Sequence, residues 1–153
     1  MTVKELGHLV LFVRDLKASA HFYRDVLGFP PAFPDSSGAD QPARSAVFST
    51  GRTHHELLLI EVGDDLPPAS RSRRVGMYHF GLKVGDSDEE LRDVLARLKE
   101  ADVRILGASD HTVTHSLYIL DPDDNELEVY IDVPGIDWTD RENFFQPVRA
   151  LSL

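Results

Sequence analysis

Cysteine is absent from this chain, and basic residues are scarce beside acidic ones. The lack of cysteine excludes disulfides, thiolate metal ligands and cysteine nucleophiles. Sixteen lysines and arginines against 26 aspartates and glutamates give a formal net charge of -10 at pH 7. Nucleic acids and anionic membrane surfaces require clustered positive charge, so we expect neither as a partner.

Long apolar runs are missing as well. The N-terminal segment lacks the hydrophobic stretch of a signal peptide, and no part of the sequence is long and apolar enough to span a bilayer. We therefore expect a cytoplasmic protein. With 153 residues, 42% of them hydrophobic, the chain can form one globular domain or two small fused modules.

What the sequence does contain is a pair of similar halves. His8 and His79 each open a hydrophobic, strand-like run, and each stands seven residues before an aspartate, Asp15 or Asp86. An amphipathic helical pattern follows both runs. The repeat predicts the order βαβββ in each half, with neither half able to close a core alone.

Capping and turn residues predict where the elements begin and end. Asp15 is placed to cap the first helix, and Gly28 to end it. Ser87 and Glu90 have capping-box spacing at the start of the second helix. The predicted strands are at about 6–13, 44–50, 54–62, from 77, 103–106, 116–120 and 126–132.

Two segments resemble a known family. The first segment consists of residues 7–16 followed by 22–28. The second is the closing segment 111–130, which contains the turn Asp121-Pro-Asp-Asp-Asn125. Both resemble the vicinal-oxygen-chelate superfamily, which contains glyoxalase I, type I extradiol dioxygenases, fosfomycin-resistance proteins and bleomycin-binding proteins. The closing segment is most similar to catechol 2,3-dioxygenase-type proteins. The family usually has glycine where Asp124 stands, and aspartate tolerates the left-handed conformation that such a turn requires.

The resemblance implies a fold and a domain organisation. We expect an α+β fold in which two tandem βαβββ modules, at about 5–62 and 76–133, form a half-open β-cup with the helices outside. Residues 1–133 are then a single domain. The tail, 134–153, carries Trp138, Phe144 and Phe145 and is expected to pack on the body or on a partner subunit. A homodimer is expected by analogy with the family, and exposed sheet edges favour pairing.

The resemblance also implies a metal site. His8, His79 and Glu128 correspond to the three protein ligands of the family. Two imidazoles and one carboxylate suit a borderline divalent metal and leave open coordination positions. Type I extradiol enzymes use Fe(II) in most cases and Mn(II) in some.

The segment His54-His55-Glu56 leaves two interpretations open. Side chains alternate across a strand, so the predicted strand at 54–62 places His55 and Glu56 on opposite sides, with His54 facing away from His55. If Glu56 points inward, the metal gains a fourth ligand and the site is similar to that of glyoxalase I, with Zn(II) or Ni(II). If His55 points inward, it corresponds to the acid–base residue of extradiol enzymes.

Two further residues favour the dioxygenase interpretation. His111 and Tyr118 correspond to a histidine and a tyrosine that contact the bound catechol in extradiol enzymes, and glyoxalase I needs neither. We therefore expect ring cleavage of a small catechol-type aromatic by O2, with Fe(II) as cofactor and His55, Tyr118 and His111 as catalytic residues. A glyoxalase-type isomerase and an antibiotic-binding resistance protein are the alternatives, although bleomycin-binding relatives lack the three metal ligands.

Overall fold

A computed structural model describes residues 2–33, 44–70, 72–73 and 75–153. The chain divides into two compact units, Met1–Ala69 and Ser70–Leu153. Each unit combines one sheet with helical segments, so the predicted α+β class is confirmed. None of the helices in the described ranges is long and apolar enough to cross a membrane.

The first unit has a three-stranded sheet. Its elements are β1 (Leu9–Val13), α1 (Leu16–His21), a π-helical turn (Phe22–Val26), β2 (Ser45–Phe48) and β3 (Leu57–Glu61). The strand order is β1-β3-β2, with β3 parallel to β1 and antiparallel to β2. Pro31 adds an isolated antiparallel bridge to Phe48. The sequence is rich in proline over 30–38, and residues 34–38 of this segment lie outside the described residues.

Local signals set the ends of the first helical segment. The Asp15 carboxylate accepts hydrogen bonds from the backbone N–H of Lys17 at 2.8 Å and of Ala18 at 3.1 Å, as an N-cap does. Gly28 then adopts a φ of 76°, a left-handed conformation that ends helices at little cost for glycine. Both predicted boundary residues are confirmed.

The start of β3 differs from the prediction. The strand begins at Leu57, and His54, His55 and Glu56 lie in the loop before it. Strand alternation therefore does not govern these three side chains. Parallel pairing with β1 defines the start instead, because the pairing begins with Leu9 opposite Leu57.

The second unit has a five-stranded sheet in the order β4-β7-β6-β5-β8. The elements are β4 (His79–Gly85), α2 (Asp88–Glu100), β5 (Ile105–Asp110), β6 (Thr114–Leu120), β7 (Glu126–Asp132), α3 (Arg141–Phe144) and β8 (Arg149–Ala150). The order β4-α2-β5-β6-β7 is the predicted βαβββ. The tail supplies β8, which pairs antiparallel with the end of β5.

Helix α2 covers one face of this sheet. Ser87 caps the helix by accepting a hydrogen bond from the Glu90 backbone N–H at 3.3 Å, and the Ser87 hydroxyl donates to the Glu90 carboxylate at 2.9 Å. Leu91, Val94 and Leu98 form the buried stripe that packs on β4, β6 and β7. The predicted capping box is thus present, and one face of the sheet belongs to the core.

The residues of strand β7 alternate between the core face of the sheet and the opposite face. Leu127, Val129 and Ile131 have no exposed surface, while the alternate positions are partly exposed. Because side chains alternate along a strand, the acidic and aromatic residues of β7 share the face away from the core. These residues are Glu126, Glu128, Tyr130 and Asp132. In the turn before β7, Asp124 adopts a φ of 66°, which confirms the predicted left-handed position.

Candidate metal centre and substrate pocket

His79 and Glu128 lie together on the polar face of the second unit. They come from the parallel neighbours β4 and β7, where Gly81 is the register partner of Glu128. His79 Nε2 lies 3.2 Å from Glu128 Oε2. A nitrogen donor and an oxygen donor therefore point at one place from two adjacent strands.

The second nitrogen of His79 is buried. His79 Nδ1 has no hydrogen-bond partner among the described residues, and Glu126 Oε1 lies 3.7 Å from it. A metal-bound histidine generally directs its other ring N–H at a carboxylate or carbonyl, which fixes the tautomer and the orientation of the ring. Glu126 is the carboxylate that lies beside this nitrogen of His79.

Gly81 allows a tyrosine to cover β4. A Cβ atom at this position would lie 3.1 Å from Tyr130 Cε1, closer than a side chain tolerates without displacing the ring. Glycine therefore lets Tyr130 lie close against the strand that carries His79. Burial, followed by the charge of Asp132, raises the pKa of Tyr130.

His111, Tyr118 and Glu128 form a hydrogen-bonded chain. The Tyr118 hydroxyl donates to Glu128 Oε1 at 3.3 Å, and His111 Nε2 lies 2.8 Å from the same hydroxyl oxygen. Since the hydroxyl has one proton and gives it to the carboxylate, His111 donates Nε2–H to Tyr118. Burial and the charge of Glu128 raise the pKa of Tyr118, so the phenol stays protonated at neutral pH.

The turn between β5 and β6 presents His111. Its backbone N–H donates to the Thr114 carbonyl at 2.9 Å, and Thr112 adopts a φ of 70°. The tight turn holds His111 at the end of β5, within reach of Tyr118 on β6.

A cavity of about 540 Å³ opens on this face of the second unit. Its volume is in the range of small-molecule sites. His79, His111, Tyr118 and Glu128 line it together, and the tail contributes Trp138 and Phe144. The sequence did not indicate that Phe144 lines this cavity, because the position of Phe144 depends on how the tail packs.

In the first unit, His8 and His55 come together. The backbone N–H of Leu9 donates to the Glu56 carbonyl at 2.9 Å, which begins the β1–β3 pairing and places the preceding residues side by side. The His8 and His55 ring centroids lie 4.4 Å apart. Burial, and then the charges of His8 and His54, lower the pKa of His55, so its imidazole is neutral at pH 7.

The prediction that His54 faces away from His55 is wrong. The two Nδ1 atoms lie 2.5 Å apart, and the ring centroids 4.4 Å apart. Because both residues precede β3, the alternation that would have separated them does not apply.

Glu56 is engaged inside its own loop. Its carboxylate accepts hydrogen bonds from the Thr50 backbone N–H at 2.5 Å, the Thr50 hydroxyl at 2.9 Å and Arg52 Nε at 3.0 Å. Burial by itself would raise the pKa of Glu56, but the hydrogen bonds from Thr50 and Arg52 together lower it. Ligation of a metal by Glu56 would have to break these contacts.

The candidate residues therefore fall into two groups. The second unit brings together His79, Glu128, His111 and Tyr118, and the first brings together His8 and His55. Among the described residues, no group of three or more His, Asp or Glu side chains is arranged to hold a metal ion. His8 lies in the first unit, and His79 and Glu128 lie in the second.

Comparison with known proteins places the chain in a family. The model of the Glyoxalase/Bleomycin resistance protein/Dioxygenase superfamily matches residues 5–129. The chain belongs to this superfamily. This is the vicinal-oxygen-chelate superfamily under another name, so the resemblance seen in the sequence is confirmed.

Relatives of this superfamily member include dioxygenases. It is 32% identical over 150 residues to the catechol-2,3-dioxygenase of Bacillus subtilis (strain 168), covering 97% of this chain and 49% of that protein. It is 30% identical over 133 residues to an iron-dependent extradiol dioxygenase of Rhodococcus jostii (strain RHA1), covering 80% of this chain and 41% of that protein. The chain thus spans about half the length of these two relatives, or less.

A solved structure shows the same fold. The crystal structure of a glyoxalase/dioxygenase from Nostoc punctiforme matches with a TM-score of 0.66 at 21% identity, covering 84% of this chain and 91% of that one. At this identity the match supports the fold of this chain and carries no information about its reaction.

The donor set of the site fits a metal. An imidazole nitrogen and a carboxylate oxygen lie 3.2 Å apart, and the other imidazole nitrogen is buried without a hydrogen-bond partner. Such a partly buried carboxylate is stabilised by a cation or by hydrogen bonds, and His79 and Glu128 are donors that divalent iron or manganese accepts.

Proposed function

We propose that this superfamily member is a metal-dependent extradiol dioxygenase that opens the ring of a catechol-type aromatic with O2. The observation that carries the proposal is the chain from His111 through Tyr118 to Glu128, which lies beside His79 in a pocket of substrate size. The similarity of about 30% to two dioxygenases supports it.

His8, His79 and Glu128 are the proposed ligands of Fe(II), or of Mn(II). When bound, the metal would supply a common binding place and Lewis-acid polarisation for the catechol and O2, so that a slow bimolecular encounter would become a positioned one. Three protein ligands would leave room for both reactants.

Tyr118 orients the substrate and holds a proton. Its raised pKa keeps the hydroxyl protonated, so it can donate a hydrogen bond to a catecholate oxygen in place of Glu128 Oε1. The His111 N–H fixes the direction of that hydroxyl by donating to it. Tyr118 and His111 thus favour a vicinal diol over an aromatic ring that has no oxygen within reach of the Tyr118 hydroxyl.

His55 is the proposed acid–base residue. Because its pKa is lowered, it is neutral at working pH and can accept a proton when the catechol binds. The protonated imidazole can return that proton later in the ring opening. Its contact with the ring of His8, a proposed ligand, is consistent with this role.

A direct experiment tests the proposal against its two rivals. Protein reconstituted with Fe(II) is mixed with a panel of catechols in air, and the methylglyoxal–glutathione hemithioacetal is tested in parallel. We expect a yellow, ring-opened semialdehyde-type product and no isomerisation of the hemithioacetal. Isomerase activity without a yellow product would refute the proposal, as would binding of catechols without turnover in iron-loaded protein. The homodimer and the cytoplasmic location stay predictions.

A further inference from the structure

Two aromatic side chains of the tail line the pocket without belonging to the proposed reaction chemistry. Trp138 and Phe144 have 66% and 58% of their surfaces exposed, yet both border the cavity that contains His79 and Glu128. Large apolar side chains that remain exposed beside a cavity are typical of a ligand-binding surface.

Hydrogen bonds within the tail fix the local shape of this segment. Asp137 accepts from the Thr139 backbone N–H at 2.9 Å, and the Asn143 side chain donates to the Asp137 carbonyl at 3.0 Å. Asp140 caps α3 by accepting from the Glu142 backbone N–H at 2.9 Å. The turn bearing Trp138 and the helix bearing Phe144 are thereby tied to each other.

The aspartate and glutamate side chains that line the pocket are not matched by basic ones. Glu128 and Asp132 contribute carboxylates to its lining, and no lysine or arginine occurs among the described residues that line it. The nearby ammonium of Lys83 lies 2.8 Å from Asp132 and 2.5 Å from Asp86, so two carboxylates already share it. Apart from the proposed metal, a substrate carboxylate would find no cationic side chain to pair with among the described residues that line the pocket.

From these observations, and resting on the proposed function, we propose that Trp138 and Phe144 form the wall that selects the ring substituent of the substrate. The class selected is neutral catechols with an apolar substituent, in preference to catechols that carry a carboxylate. Trp138 and Phe144 are specificity-determining residues that contact the substituent and take no part in proton transfer.

Binding of two matched probes tests this selection. 4-tert-Butylcatechol and 3,4-dihydroxybenzoate carry an apolar group and a carboxylate at the same ring position. Calorimetric titrations of the Fe(II)-reconstituted protein are made without oxygen, so that no turnover occurs. We expect the tert-butyl compound to bind about tenfold more tightly or better, the effect of burying roughly two methyl-sized groups.

Phe145 provides a matched control. It is 70% exposed, and its ring packs against the Phe144 ring and the Arg141 guanidinium without lining this pocket. Phe144→Ala should weaken 4-tert-butylcatechol roughly tenfold and leave 3,4-dihydroxybenzoate unchanged, since only the former buries apolar surface against the ring. Phe145→Ala should leave both affinities within about twofold, a change smaller than 0.5 kcal/mol.

A fluorescence measurement locates the probe. Trp138 is the sole tryptophan of the chain, so intrinsic tryptophan emission reports on this wall alone. Emission should be quenched by 4-tert-butylcatechol in the wild type and in Phe145→Ala. Circular dichroism melts show whether each variant is folded. Phe144→Leu repeats the binding measurement with a side chain that is less disruptive to α3 than alanine.

The outcomes separate this inference from the proposed function. Equal affinities for the two probes, a preference for the carboxylate, no binding of either probe, or equal losses in Phe144→Ala and Phe145→Ala would overturn the inference. The protein could discriminate between the probes and yet open no catechol ring. That result would refute the proposed function, while the specificity role of Trp138 and Phe144 would be retained.

Discussion

The substitution Glu56→Gln distinguishes a loop-stabilising carboxylate from a metal ligand. The structure gives Glu56 hydrogen bonds from the Thr50 backbone N–H, the Thr50 hydroxyl and Arg52 Nε. The side chain is only 14% exposed, so these contacts are partly shielded from water. The interpretation as a glyoxalase-like ligand instead assigns this carboxylate to the metal.

The expected loss of stability follows from those contacts. Glutamine keeps one acceptor oxygen, but its NH₂ group must face either Thr50 N–H or Arg52, and neither can accept a hydrogen bond. Losing one charge-assisted hydrogen bond of a partly shielded group costs about 1–3 kcal/mol. For a chain of this size the Tm should fall by roughly 3–10 °C.

The pH dependence has a definite sign. The pKa of Glu56 is lowered from its ordinary value of 4.5, so the unfolded chain takes up the proton before the folded chain as the pH falls. The stabilisation by Glu56 is therefore present above pH 4.5 and lost as the pH falls through the lower, folded-state pKa. The difference in Tm between wild type and Glu56→Gln should shrink below that pH.

Thermal melts and iron analysis together decide the role of Glu56. We expect Glu56→Gln to have a lower Tm and the same iron content per chain as the wild type, with Glu128→Gln as the variant that loses iron. An unchanged Tm with a loss of iron in Glu56→Gln would refute the reasoning and favour the four-ligand, glyoxalase-like site.

Three further substitutions test individual residues. His55→Ala should keep its iron while kcat falls roughly 100-fold or more, the usual loss without general acid–base help, and unchanged turnover of a competent catechol would remove that role. Tyr118→Phe loses the hydroxyl between His111 and Glu128, so kcat/KM should fall roughly 10- to 100-fold with iron retained; an unaltered kcat/KM would contradict an orienting role. Ser87→Ala removes the cap of α2 and should cost about 1 kcal/mol in urea unfolding with turnover intact, whereas unaltered stability would show that Glu90 suffices without the cap.

Local chemistry made much of the fold predictable. Strand β7 occupies the predicted range, Glu126–Asp132, because its strict alternation can bury only one face. Asp15, Ser87 and Asp124 act at their predicted places because caps and turns depend on a few neighbouring residues.

Long-range pairing accounts for the features that the sequence did not reveal. Strand β5 was predicted at 103–106, but it extends over Ile105–Asp110 because both β6 and β8 pair with its second half. The loop position of His54 and His55 depends on the register between β1 and β3. Phe144 reaches the pocket only because the tail docks on the second unit, which no periodicity within the tail encodes.

The most direct test of the account is an anomalous-scattering measurement at the iron absorption edge on crystals of iron-grown protein. We predict one strong peak whose protein neighbours are an imidazole nitrogen of His8, an imidazole nitrogen of His79 and the carboxylate of Glu128. A peak coordinated by Glu56 as well, or one that lies away from His79 and Glu128, would contradict the three-ligand centre on which the proposed ring cleavage depends.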